Sequence, residues 1–276
     1  MIFAQIGHVV SFLYIIQFLS KQSVMNPAPL FLLIIFTALI GSSCQNDITD
    51  PPEELNQILE STHFTYELSE GDWIDTTWQE KYHHWLMDTL DVTLNEKLVY
   101  KKYLNRNHLK AHTGKSTNGF AEVGTPTFHT IWYADNHESV HSVVTLTIGH
   151  PPALFNEGIA VAHQADYGLY PEFVPTWNGD DFHMLSKTHR HNDLPPLNEL
   201  LESSSFFNFD QNMTYPVAGS FTRYLIDTYG IDKMKAFISI SDFYDAGESV
   251  RINFESTYPI SVDDAWENWL DFIDEY

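Results

Sequence analysis

His137-Glu138-Ser139-Val140-His141 sets two histidines four residues apart, with a glutamate beside the first. On a helix, positions i and i+4 lie one turn apart on the same face, so both imidazoles can reach one ion. Glu138 stands about 100° round from His137. That is too far to share the ligand direction, but near enough to act on a water held at a metal. A catalytic zinc site needs three protein ligands and one open position. Glu157, in FNEGIA at the start of a second apolar stretch, fits the need for a third ligand. In a chain with 14 histidines the five-residue pattern alone carries little weight, and a pair of ordinary histidines beside a solvated glutamate is the competing reading. The flanking elements decide between them.

Those elements are well marked. Asp135 and Asn136 are N-cap candidates directly before His137, and Gly149 with Pro151 and Pro152 ends the helix about two turns after His141. A second helix then carries Glu157 in its first turns. Upstream, alternation predicts strands at His63–Leu68, Lys97–Leu104 and Thr125–Tyr133. Thr76–Leu90 spaces Trp78, Tyr82, Trp85, Leu86 and Leu90 at three and four, a helix with a core-facing stripe. Downstream, a Pro-, Asn-, Gly- and His-rich stretch from Tyr170 to Pro196 reads as a loop. Helices are predicted at Ala218–Gly230, Asp232–Ile240 and Ser261–Ile273, the last with Ser261 as N-cap and with Trp266, Trp269 and Phe272 as core. The pattern predicts an α+β domain whose sheet-containing first lobe and helical second lobe flank a cleft.

HESVH followed after a spacer by FNEGIA resembles the gluzincin branch of zinc metallopeptidases, and the N-E-G-x-A form is similar to the zinc aminopeptidases and the peptidase MA-like families. YPVAGSFTRYLIDTYGIDKMKAFI resembles the helical segment that follows the site in bacterial MA-like proteins. The resemblance spans roughly Tyr100 to Ile273. It implies a thermolysin-like fold, a zinc ion on His137, His141 and Glu157, Glu138 as general base, and a peptide or protein substrate. Such families also use a Tyr or His from the helical part as oxyanion donor; Tyr215 is the preferred candidate, with His183 and Tyr224 behind it. Two features depart from the pattern. Val161 stands where thermolysin-like members place an Asp, and no glycine-rich exopeptidase signature is present.

The remaining histidines invite blander readings. His83 and His84 point to different helix faces, which disfavours a shared ligand pair, and His189 and His191 lie in a polar stretch. His150 and His163 flank the proposed site, either as partners of the ligands or as polar helix-end residues.

Residues 25–44, MNPAPLFLLIIFTALIGSSC, form an apolar run too short for a comfortable membrane span and ending in small residues before a cysteine. This resembles the lipobox of bacterial lipoproteins, which implies lipidation of Cys44, a membrane attachment and work outside the cytoplasm. Gly41 stands where an aliphatic residue is usual. A second apolar run precedes Met25, which is the favoured start. The expected layout is residues 1–44 as signal segment, an acidic Pro-containing tether over 45–60, and a catalytic domain over 61–276. After Cys44 there are 37 acidic and 13 basic residues, a net charge of −24, which repels nucleic acid. One cysteine permits no internal disulfide. Besides the peptidase, the sequence allows a catalytically inactive cell-envelope lipoprotein whose peptidase-like domain binds a protein or glycan.

Overall fold

Five short strands make one sheet: Gln57–Glu60 (β1), Phe64–Leu68 (β2), Leu98–Lys102 (β3), Gly119–Ala121 (β4) and Thr127–Thr130 (β5). The computed structural model describes residues 53–168 and 173–276, so Cys44 and both N-terminal apolar runs lie outside the described residues. Strand order is β1-β2-β3-β5-β4. The inner pairs β2–β3 and β3–β5 are parallel, while β1 and β4 close the edges in antiparallel register. Parallel neighbours need a crossover, and Thr76–Leu90 (α1) supplies the one between β2 and β3. Alternate residues of β2 and β3 are buried. Phe64, Tyr66 and Tyr100 meet Tyr82, Leu86 and Leu90 of α1 in a single core.

The rest is helical: Arg106–Thr113 (α2), Asn136–Thr147 (α3), Ala153–His163 (α4), Phe182–Arg190 (α5), the single turns Leu197–Leu200 (α6) and Ser203–Phe206 (α7), Gln211–Tyr229 (α8), Ile231–Ile240 (α9), Gly247–Thr257 (α10) and Val262–Glu275 (α11). The architecture is therefore mixed α+β, with a small open sheet and a helical C-terminal part. Every residue of α4 is buried, the polar Asn156, Glu157 and His163 included, and α8 runs along it. Gly158 allows this approach, because a Cβ there would stand 2.1 Å from Thr222 Oγ1 and 2.7 Å from the Ala218 carbonyl oxygen.

Several expectations shift. The stretch from Tyr170 to Pro196 is not all loop, because α5 lies within it, started by Asp181, whose carboxylate accepts from the amides of His183 and Met184. Its buried face holds His183 and Ser186, and these polar residues hide the period; Ser186 donates to the Phe182 and Pro216 carbonyls. Helix α8 begins at Gln211 rather than Ala218, so Tyr215 and Pro216 are helical. Pro216 stands in the second turn of the helix, where it has no amide hydrogen to give the Asn212 carbonyl. Gln57–Glu60, the end of the expected tether, pairs with β2 as an edge strand. Ser261 caps α11, accepting from the Asp264 amide, and Trp266 and Trp269 are buried.

Candidate metal centre

Helices α3 and α4 deliver the candidate ligands to one point. Asp135 starts α3 by accepting from the Glu138 amide at 3.1 Å, which sets the turn that aims His137 and His141 inward. After the Gly-His-Pro-Pro break, Ser203 Oγ accepts from the Ala153 amide at 2.9 Å, satisfying an orphan donor at the buried start of α4. Glu157 then faces the histidines. His137 Nε2 lies 3.1 Å from Glu157 Oε2, His141 Nε2 lies 3.1 Å from His137 Nε2, and His141 Nε2 lies 3.3 Å from the same carboxylate oxygen. A tetrahedral ion with bonds near 2.0–2.1 Å separates its ligand atoms by about 3.3 Å. The observed triangle has nearly that edge.

The surroundings set how each group presents itself. The Gln164 amide nitrogen donates to the Thr176 carbonyl, so its Oε1 faces His137 Nδ1 and accepts at 2.8 Å. That fixes a proton on Nδ1 and leaves Nε2, which faces the triangle, as the ring atom a metal would take. Val161, where the resemblance expects a supporting acid, packs instead against Gly219 of α8. Asn156 donates to Glu157 Oε1 at 3.2 Å, leaving Oε2 for the histidines. His141 Nδ1 is buried without a partner. Two imidazole nitrogens 3.1 Å apart and one carboxylate oxygen form an N/N/O donor set that suits a borderline divalent ion such as zinc, iron, nickel or copper.

Charge and burial oppose each other here. Burial would lower the pKa of His137, but the hydrogen bond it donates to Glu157 and the charges of Glu157, Glu138 and Asp135 lift it to about 9. Burial would raise Glu157, yet the His141 charge and the hydrogen bonds from both histidines hold it well below the usual carboxylate range. Glu138 receives less compensation. Burial, then the Asp135 charge, push it up to about 7 against the pull of His141 and His137. A carboxylate titrating near neutrality suits proton transfer.

These residues line a cleft of about 930 Å³. Edge strand β4 runs beside it, and Gly119 keeps the strand close to the acids. A Cβ there would stand 3.0 Å from both Asp135 Oδ2 and Glu138 Cγ. Tyr215 lies in the cleft with its ring stacked on His137 at 5.7 Å and near Trp177 at 4.9 Å. Burial first, then the charges of Glu157 and Glu138 and a hydrogen bond to Glu157, hold its hydroxyl protonated far above neutral pH.

The other sequence candidates lie elsewhere. His183 is buried against Ser220 Oγ at 2.8 Å, and Tyr224 packs on Phe272; neither lines the cleft. His163 turns into the core, its Nδ1 on the Ile159 carbonyl, and burial holds its pKa down at about 4. His150 lines the cleft and stacks on Phe243. His189 and His191 pair with different acids, Asp193 and Asp274, and do not converge. Sequence reasoning missed Gln164, Gly119 and Trp177. Gln164 had a signal, since it follows Glu157 by seven residues and so shares its helix face.

No family model matches the chain, and no curated protein matches it in sequence.

Proposed function

We propose that the protein is a zinc-dependent peptidase of gluzincin type, with a thermolysin-like arrangement of sheet, site helices and helical lobe. The observation that carries the reading is the His137–His141–Glu157 triangle, with edges of 3.1 to 3.3 Å, opening onto a cleft beside Glu138. Bound there, a zinc ion would polarise a peptide carbonyl and bring its water toward neutral pKa. Glu138 takes a proton from the attacking water on its carboxylate and returns it to the leaving amine. Tyr215 offers its hydroxyl hydrogen to the oxygen that becomes negative. The outer edge of β4 can pair with an extended peptide, main chain to main chain. Lipidation of Cys44 would hold the enzyme at a membrane outside the cytoplasm. Among the described residues no helix is long and apolar enough to cross a membrane.

The binding-only alternative draws on the cleft rim. Trp132 and Tyr167 line the cleft while 50% and 41% exposed, and such rings suit a sugar face or an apolar side chain.

The test is metal content and turnover together. Purified protein should carry zinc that is lost on His141→Ala, and Glu138→Gln should keep this zinc but lose hydrolysis of a broad peptide library by about 100-fold or more. Zinc without any cleavage by the wild type would favour the binding module; no zinc in the cleft after metal-replete purification would end both metal readings.

A further inference from the structure

His84 does not pair with its neighbour His83; it joins His63 and Glu80 in a second cluster. Glu80 and His84 are one turn apart on α1, and His63 directly precedes β2. One ligand-type atom from each of the three lies within 4.8 Å of the others. The cluster is organised by hydrogen bonds. Glu80 Oε1 accepts from the His63 amide at 2.8 Å and from the Ser61 hydroxyl, while Oε2 lies 2.6 Å from His63 Nδ1. The His83 ring stacks on His63 at 4.7 Å and 25°, fixing the ring plane from the core side. None of the three cluster residues lines the cleft.

We propose that His63, Glu80 and His84 form a second divalent-metal site that ties the start of β2 to α1. Two imidazoles and one carboxylate select a borderline ion such as zinc, nickel or copper over calcium or magnesium. The ion takes the place of the hydrogen bond between His63 Nδ1 and Glu80 Oε2, whose proton leaves to solvent. Ligand atoms around such an ion stand about 3.3 Å apart, so the 2.6 Å contact relaxes outward. His84 is exposed, and its ring already meets the His63 ring edge-on at 4.9 Å, on the open side of the cluster. Its exposure leaves the remaining coordination positions to water, which makes this the more exchangeable site. The net negative chain concentrates divalent cations at its surface. The site is independent of the peptidase reading, because it shares no residue with the cleft.

Zinc titration of the metal-stripped full chain by calorimetry, with nickel as a second probe, tests this. Wild type is expected to bind two zinc ions, His84→Ala one, His141→Ala one, and the double variant none. Metal-free His84→Ala should melt like metal-free wild type but gain less from saturating zinc. Glu80→Gln keeps an oxygen for the His63 amide and Ser61 while removing the anionic ligand, and should also bind one ion. A wild type holding one ion that is lost with His141→Ala and kept by His84→Ala overturns the second site. One ion lost with His84→Ala but kept by His141→Ala upholds it and removes the cleft metal instead.

Discussion

Gly158→Ala tests whether the crossing of α4 and α8 is what positions Glu157. A Cβ at residue 158 would stand 2.1 Å from Thr222 Oγ1 and 2.7 Å from the Ala218 carbonyl oxygen. A relaxed carbon–oxygen contact is about 3.3 Å. Even if Thr222 turns away, the helices must part by roughly 0.6 Å at the backbone contact. Alanine in a helix interior gains about 1 kcal/mol over glycine. Overpacking a filled site costs about 1–3 kcal/mol, and the upper part of that range applies because a backbone oxygen cannot rotate aside. The net loss is about 1–2 kcal/mol, or roughly 2–8 °C in Tm for a unit of this size. Thermal and urea denaturation of the metal-free protein measure it, and competition with a chelator measures zinc affinity, which should fall as Glu157 shifts with its helix. Adding Thr222→Ala should recover only part of the loss, since it clears the 2.1 Å contact and not the 2.7 Å one. A Gly158→Ala protein more stable than wild type, with unchanged zinc affinity, would refute the close crossing.

Two further predictions concern the ligands. Gln164→Ala should lower zinc affinity about 10–100-fold without changing the far-ultraviolet circular dichroism, because Gln164 orients His137 through Nδ1 from a position just past the end of α4; equal affinity in a chelator competition would exclude that role. In the metal-free protein the triad should also shape stability against pH. His137, raised from 6.5 to about 9, contributes fully below 6.5, and its contribution is lost as pH rises through 9. Glu157, held low, contributes above about 4.5, and its contribution is lost as pH falls. Urea melts across pH 4 to 10 should therefore show the triad's contribution greatest between about 4.5 and 6.5, and His137→Gln should remove the decline above 6.5. A wild-type decline that survives in that variant would place its origin elsewhere.

The site helices were legible because their signals are local. Asp135, the i, i+4 histidines and the Gly149–Pro152 break each speak within one or two turns of chain. What stayed hidden depends on distant partners. Strand β4 is three residues long, too short for any period to show, and exists through its pairing with β5. Helix α5 buries His183 and Ser186, polar residues made acceptable by Ser220 Oγ and the Pro216 carbonyl in α8. Tyr215 reads as pre-helical next to a proline, whereas α8 begins four residues earlier, at Gln211. The His63–Glu80–His84 cluster joins residues from two elements that the sequence does not bring together.

The N-E-G run shows where the two kinds of information meet. Successive helical residues point about 100° apart, so Glu157 and Gly158 face different neighbours. Glu157 turns to the histidines of α3, and Gly158 turns to Thr222 and Ala218 of α8. Any side chain at 158 pushes α8 away from α4, and α8 also carries Tyr215 over His137. The glycine thus sets the depth of the cleft that the glutamate lines. A candidate ligand and the spacing of the wall opposite are specified by adjacent residues, which is why the motif is informative beyond its one carboxylate.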